Sequence, residues 1–230
     1  MKIAFTGLEL PEGKHKYDDS IFTDLVNKFE PAKQSPYYFN FLADNYQEAE
    51  AIVITEDNLL DLLILDMEKV ETRLARVEEN ADKLLMEKCQ AHLEESQPLC
   101  DLVLNEEEHA AIHALGFHSA KPTLVLQDTS TDPDKLCRQV MEKASMMFFY
   151  TAGKQEVHAW MVKTGDQAVN CAGKIHSDLA RGFIKAEIIH YDKLISAHSF
   201  SDARSQGLTQ LVDREYPIPQ DTVLEIRFKV

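Results

Sequence analysis

The sequence predicts an α/β chain: a mostly parallel sheet that carries a helical-hairpin arm, followed by a smaller α+β domain. Three observations carry this reading. Apolar runs at residues 1–7, 50–55, 122–127 and 146–151 alternate with helical patterns, as in a parallel sheet covered on both faces. Residues 59–84 hold an apolar seam that steps by 3 and 4, the mark of helices packing lengthwise. After Gly153 the strands change to apolar–polar alternation around one main helix.

Residues 1–7 (MKIAFTG) are apolar and end on glycine, so they predict a buried strand. The run is too short for a leader and lacks a small-residue cleavage site. Residues 9–36 are polar and broken by Pro11, Gly13, Pro31 and Pro36, which predicts loop with one short helix near 21–29. The aromatic group Tyr37, Tyr38, Phe39, Phe41 and Tyr46 is expected to anchor that loop on a core. Residues 50–55 (EAIVIT) predict a second buried strand.

The seam comprises Leu60, Leu63, Met67, Val70, Leu74, Val77, Ala81 and Leu84. It must be buried on something. The expected partner is the next helix, about 82–94, folding back after a turn near residues 79–80. A continuous helix that pairs with a second chain is the competing arrangement. Pro98 stops the helix. Asn105 and Glu108 have capping-box spacing, which predicts a helix over 106–115 closed by Gly116. Residues 122–127 (PTLVLQ) predict a strand. TDPD at 131–134 opens a helix reaching about Lys143, with proline in the first turn, where its missing N–H costs nothing. The strand MMFFYT closes a first domain placed at 1–150, with the arm at about 58–97. A second domain at 151–230 is read as a strand (157–163), a helix (167–176) and half-buried strands at 184–191 and 222–230.

The net charge of −15 sits in the first two thirds. From Ala152 onward there are 10 basic and 10 acidic residues; before it there are 14 and 29. The acidic part repels a phosphate backbone, which argues against unaided nucleic-acid binding there and against DNA as a partner. The balanced part has room for a local basic face. No run reaches the ~20 apolar residues of a membrane helix. Cys89, Cys100, Cys137 and Cys171 form no CxxC pair and fit reduced thiols. These features predict a soluble, cytoplasmic protein without a membrane partner.

The C-terminal residues carry a resemblance. HAWMVKTGDQA, KIHSDLARGFIKAEIIHYDKL, DARSQGL and DTVLEIRFKV resemble the C-terminal TGS domain (DUF933-like) of the YchF-type, Obg-related nucleotidases. FFYTAGKQEVHAW resembles the segment that joins their nucleotidase core to it. Upstream, EAEAIVIT resembles a core strand, LLILDMEKVETRLAR the start of the helical arm, and LNEEEHAAIHALGFHSAKPTLVLQ the return to the core. The resemblance implies a P-loop-nucleotidase-like core and a β-grasp (TGS-like) C-terminal domain. It also implies a recognition role for that domain, often at the ribosome or on RNA.

Departures from the family pattern bear on activity. A phosphate loop follows G-x-x-x-x-G-K-[ST], with backbone amides around the phosphates and a hydroxyl on Mg²⁺. GLELPEGKH at 7–15 has five residues between Gly7 and Gly13, and His15 in the hydroxyl position. Imidazole suits Mg²⁺ poorly. Glu9 and Glu12 place carboxylates where anions belong. The chain between Gly13 and Ala51 is too short for switch strands and holds no DxxG metal loop. The base-reading NxxE-like segment is replaced by QDTST at 127–131, in which Asp128 keeps an acceptor. Gly7, Gly13, Lys14 and Asp128 are therefore the vestigial nucleotide-binding set of a degenerate nucleotidase-like domain. Mg²⁺ and phosphate electrostatics supply most of the catalysis in this chemistry. The expectation is no catalytic residue, no cofactor and no resident metal.

Further candidates were weighed against plainer roles. His109 and His113 have i, i+4 metal-ligand spacing, with His118 nearby, but EHAAIH is not HExxH and the helix already has a scaffold role. Ser177, His176 and Asp178 are neighbours without a G-x-S-x-G elbow. Trp160 reads as core. Lys174, Arg181, Lys185 and Arg204 surround the helix-to-strand turn of the second domain. They read either as a solvated rim or as a docking face, with Gly182 making a tight turn that brings backbone amides near a partner. The sequence thus favours a non-catalytic binding or adaptor protein docking on the ribosome or RNA. The alternative is a nucleotide-binding protein with residual ATP or GTP hydrolysis. A protein partner on the helical arm is a further reading.

Overall fold

The computed structural model describes residues 1–76 and 80–229. Val77 of the expected seam, Glu79 of the expected turn and Val230 of the expected last strand lie outside the described residues. The chain forms two compact units, Met1–His15 with Phe39–Ala144 and Lys16–Tyr38 with Ser145–Val230. This differs from a division at residue 150. The strand at 146–152 pairs within the second sheet, and a helix and a strand from residues 16–38 join it. An apolar run reads alike in either sheet, because periodicity does not name the partner strand.

In the first unit the strands β1 (Lys2–Thr6), β2 (Gly13–Lys16), β4 (Tyr38–Ala43), β5 (Ala51–Thr55) and β6 (Thr123–Leu126) form a sheet in the order β2-β4-β1-β5-β6. β4, β1, β5 and β6 run parallel. Tyr38, Phe39 and Phe41 of the aromatic group expected to anchor a loop instead lie in the strand β4. Phe39 and Phe41 alternate inward and are fully buried, each stabilising the core by about 1.5–3 kcal/mol. All five residues of β5 are buried, and the chain passes from it directly into α2 (Glu56–Leu74).

α2 and α3 (Asn80–Glu94) pack together in one apolar cluster with Leu63, Val70, Leu85, Met86, Cys89 and Leu93. Arg73 Nη2 donates to Asp82 Oδ2 across the pair at 2.9 Å. The arm is thus a hairpin within one chain. Leu63, Met67, Val70 and Leu74 of the expected seam lie in this cluster, joined by the buried Leu62 and Asp66 of α2, whereas Leu60 is 56% exposed and Leu84 65%. The expected a/d pattern would pair the two helices along their length. The base of α2 instead turns Leu62 toward Ala4, Ile52 and Ile54 of the sheet, which shifts the stripe.

A short 3₁₀ turn (Leu99–Asp101) leads to α4 (Glu106–Leu115). The reciprocal capping box of Asn105 and Glu108 is present, and Gly116 closes the helix at φ 67°. α5 (Pro133–Lys143) starts on the Asp132 cap with Pro133 in its first turn, and it packs against β6.

The second unit has a six-stranded sheet in the order β10-β9-β11-β7-β8-β3. Its strands are β3 (Lys33–Ser35), β7 (Met146–Ala152), β8 (Glu156–Lys163), β9 (Phe183–His190), β10 (Gln210–Val212) and β11 (Thr222–Phe228). β7 and β8 form an antiparallel hairpin; the last strand, β11, runs parallel to β7 and antiparallel to β9. The helix α6 (Ala168–Ile175) covers this sheet through Ala168 and Cys171, packed with Phe149, Ala186, Ile188 and Leu224. Hairpin, helix, hairpin and a closing central strand make the β-grasp topology.

Short helices α7 (Ser177–Arg181), α8 (Tyr191–Ser196) and α9 (Phe200–Ser205) add to the single helix that the sequence predicts. Each is about one turn long, too short to show a period. α1 (Ser20–Phe29) starts on Asp19, which also accepts the Tyr150 hydroxyl at 2.7 Å.

Candidate functional site

In parallel α/β sheets, ligands settle at the carboxyl ends of strands where the winding reverses. Here β4 lies on one side of β1 and β5 on the other, so the reversal falls at the end of β1. A cavity of about 280 Å³ opens there, lined by Phe5, Thr6, Gly7, Leu8, Glu9, Ala43, Asp44 and Thr129.

Its chemistry is acidic and hydroxylic. Thr6 Oγ1 donates to Asp44 Oδ1 at 2.7 Å and lies 2.6 Å from the Tyr46 hydroxyl. Since the threonine proton goes to the carboxylate, the phenol donates to Thr6. Burial pushes the Tyr46 phenol up, and the Asp44 and Asp61 charges add to that shift. Gly7 takes φ 76°, and a Cβ there would sit 2.3 Å from Thr55 Oγ1. The amide of Glu9 donates to the Thr129 carbonyl at 3.1 Å.

Of the vestigial set, Gly7 lines this cavity and Gly13, Lys14 and Asp128 do not. After Gly7 the chain enters β2 at Gly13, so a strand stands where a phosphate loop leads into a helix. Lys14 and Asp128 are exposed. His15 Nε2 is held by Asp134 Oδ1 at 2.9 Å.

In the second unit the four basic candidates have different surroundings. Arg204 Nε donates to Glu187 Oε1 at 2.7 Å and its Nη2 to Glu225 at 3.0 Å. Lys185 pairs with Asp213 at 2.6 Å and Arg181 with Asp178 at 2.8 Å. Lys174, at the end of α6, has no acidic partner among the described residues. Gly182 does not present its amide outward as the sequence suggests. That amide donates to Asp178 O, and its carbonyl accepts from Lys229 N, both at 2.9 Å.

The plainer readings account for the remaining candidates. His176 Nδ1 accepts the Asp178 amide as the cap of α7. Trp160 packs against the β-grasp core, stacks on His158 at 3.5 Å and donates to Thr151. All four cysteines are free, and burial pushes the Cys89 thiol to about 11 and those of Cys137 and Cys171 to about 12. Among the described residues no group of three or more His, Cys, Asp or Glu is placed to hold a metal ion, His109 and His113 included.

Sequence reasoning missed the Tyr46–Thr6–Asp44 chain, because its members come from different strand ends. It also missed Asp66, a carboxylate on α2 whose burial no local pattern marks.

An α/β core of nucleotidase type joined to a β-grasp domain is the class that these two units define. Residues 146–229 match YchF-GTPase_C, described as a protein of unknown function (DUF933), and the chain is similar to YchF-type proteins. It is 26% identical over 237 aligned positions to the ribosome-binding ATPase YchF of Bacillus subtilis, covering 74% of this chain and 65% of that protein. Against the ribosome-binding ATPase YchF of Mycoplasma genitalium it is 38% identical over 97 residues, 42% of this chain and 26% of that one. The chain thus spans less than two thirds of the length of these relatives. The solved structure of the Schizosaccharomyces pombe YchF GTPase superposes with a TM-score of 0.81 at 16% identity, over 99% of this chain and 97% of that one, a likeness of fold. Among the described residues no helix is long and apolar enough to cross a membrane.

Proposed function

We propose that this chain is a cytoplasmic, non-catalytic adaptor whose β-grasp domain docks on the ribosome or its RNA. The relatives' printed name, ribosome-binding ATPase, supports the ribosomal half of this reading. The observation that carries the non-catalytic half is the path after β1. The segment from Gly7 leads into the strand β2 and not into a helix N-terminus. An anion there meets Glu9 and Asp44 on the cavity wall. A phosphate loop works by aiming backbone amides and a helix dipole at the phosphates, and this arrangement supplies neither the helix nor a Mg²⁺ hydroxyl after Lys14.

Docking falls to the cations left free for it. Lys174, in the last turn of α6, and Arg181, the last residue of α7, are exposed, and Arg181 releases only an exposed i, i+3 pair with Asp178, worth little in water. Lys185 and Arg204 are held by Asp213, Glu187 and Glu225.

Two measurements test the reading. The full chain should pellet with ribosomes through a sucrose cushion, and Lys174→Glu with Arg181→Glu should weaken this; a chain that stays in the supernatant at low salt refutes the docking. Calorimetry with ATP or GTP and Mg²⁺ should give no saturable heat. A micromolar isotherm abolished by Lys14→Ala would instead establish the alternative, residual nucleotide binding and hydrolysis.

A further inference from the structure

A cavity of about 730 Å³ in the first unit lies away from the end of β1. It lies along α2 and the link from α4 to β6. Its volume is that of a site for a small molecule. It shares no lining residue with the cavity at Gly7.

Among the described residues, three cations, Lys69, Arg73 and Arg76, and one carboxylate, Glu68, line its walls. Lys69 is oriented from below: its Nζ donates to Gly116 O at 2.9 Å, lies 3.6 Å from Asp66 and sits 6.0 Å above the Phe117 ring centroid. Arg73 gives Nη2 to Asp82, which leaves the rest of its guanidinium. Two polar atoms of this lining, Arg73 Nε and His118 Nδ1, are buried and have no hydrogen-bond partner among the described residues. A buried polar atom without a partner is costly, so native structures rarely keep one without a role for it. Leu65, Leu115 and Phe117 make the remaining wall apolar.

We propose that this cavity binds a small phosphomonoester with an apolar body. The guanidinium of Arg73 and the ammonium of Lys69 take the phosphate oxygens, which suit charge-assisted, forked hydrogen bonds. His118 Nδ1 adds one further contact, and the apolar body lies against Leu115 and Phe117. The inference does not rest on the adaptor reading, since none of its residues belongs to the β-grasp domain.

Phenyl phosphate is the test ligand, with inorganic phosphate and phenol as its two halves, titrated into the full chain by nuclear magnetic resonance. Phenyl phosphate should move the Arg73 Nε–H resonance saturably. Either half alone should bind at least about tenfold more weakly. Arg73→Gln and Lys69→Gln should each weaken phenyl phosphate by about tenfold, the loss of one charge-assisted contact, while Lys83→Gln on the outer face of α3 should not. Should Arg73→Gln fail to fold, Lys69→Gln decides. The proposal is overturned if phenyl phosphate does not saturate, if one half binds as well as the whole, or if the deciding variants bind as the parent does.

Discussion

Arg204 Nε donates to Glu187 Oε1 at 2.7 Å, and Glu187 is a buried carboxylate in the middle of β9. Its second oxygen accepts from Arg227 at 2.6 Å, and Thr209 donates to the first at 2.8 Å. The Arg204 hydrogen bond, with those of Thr209 and Arg227, outweighs burial and holds the carboxyl at about 2. A residue that looks like a docking cation is thus mainly the counter-charge of a strand.

This fixes an acid limit. The folded value of Glu187 lies below the ordinary 4.5, so its contribution is fully present above that pH. It is lost as pH falls from 4.5 toward about 2, a change on the order of 3 kcal/mol. Urea unfolding followed by Trp160 fluorescence should show the loss between neutral and acid pH. Glu187→Gln should flatten the profile in that window, and an unchanged slope would refute the assignment.

Arg204 and Lys174 should separate by stability. Arg204→Ala leaves a buried carboxylate short of one partner. Because Arg204 is itself 43% exposed, the expected loss lies below the range for fully buried pairs. Lys174→Ala should stay within about 0.5 kcal/mol. The same fluorescence assay reads both.

Asp66 should prove the most sensitive position of the arm. It is fully buried and accepts the amides of His118 at 2.8 Å and Ser119 at 2.7 Å. Asp66→Ala orphans both amides and should cost about 2–4 kcal/mol; Asp66→Asn keeps one acceptor and should cost less. Thermal melts followed by circular dichroism check the order.

Two glycines should respond differently to alanine. A Cβ at Gly182 would sit 2.4 Å from the Lys229 carbonyl oxygen, whereas at Gly153 it meets nothing within 4 Å. Gly182→Ala should cost about 1–3 kcal/mol and Gly153→Ala a few tenths. Equal melting temperatures for the two variants would contradict the close approach of β11 to Gly182.

If the adaptor reading holds, binding to ribosomal RNA should fall steeply with salt. The double variant Lys174→Glu, Arg181→Glu should reduce that slope by about 1–2. Filter binding at several salt concentrations measures it.

Much of the fold was legible in local signals. The Asn105–Glu108 box and Gly116 mark α4 to the residue, because caps depend on neighbours in sequence. Pro133 marks the start of α5 for the same reason. The strand β4 was missed because Phe39 and Phe41 alternate over too few residues, among aromatics that also suit a loop anchor. The candidate site was legible as an altered glycine motif. The hydroxyl chain beside it was not, since Tyr46, Thr6 and Asp44 meet only once β1 and β4 pair.

By itself the sequence determined the long helices and the longer strands, the capped ends, the acidic first part and the likeness of the last third to a known domain. These rest on short-range periodicity and on residue identity. Only the tertiary structure decided that 146–152 joins the β-grasp sheet, that α2 buries Asp66, and that Arg204 serves Glu187. In each case the deciding energy is burial or hydrogen bonding between residues far apart in the chain, and no local pattern records such a partner.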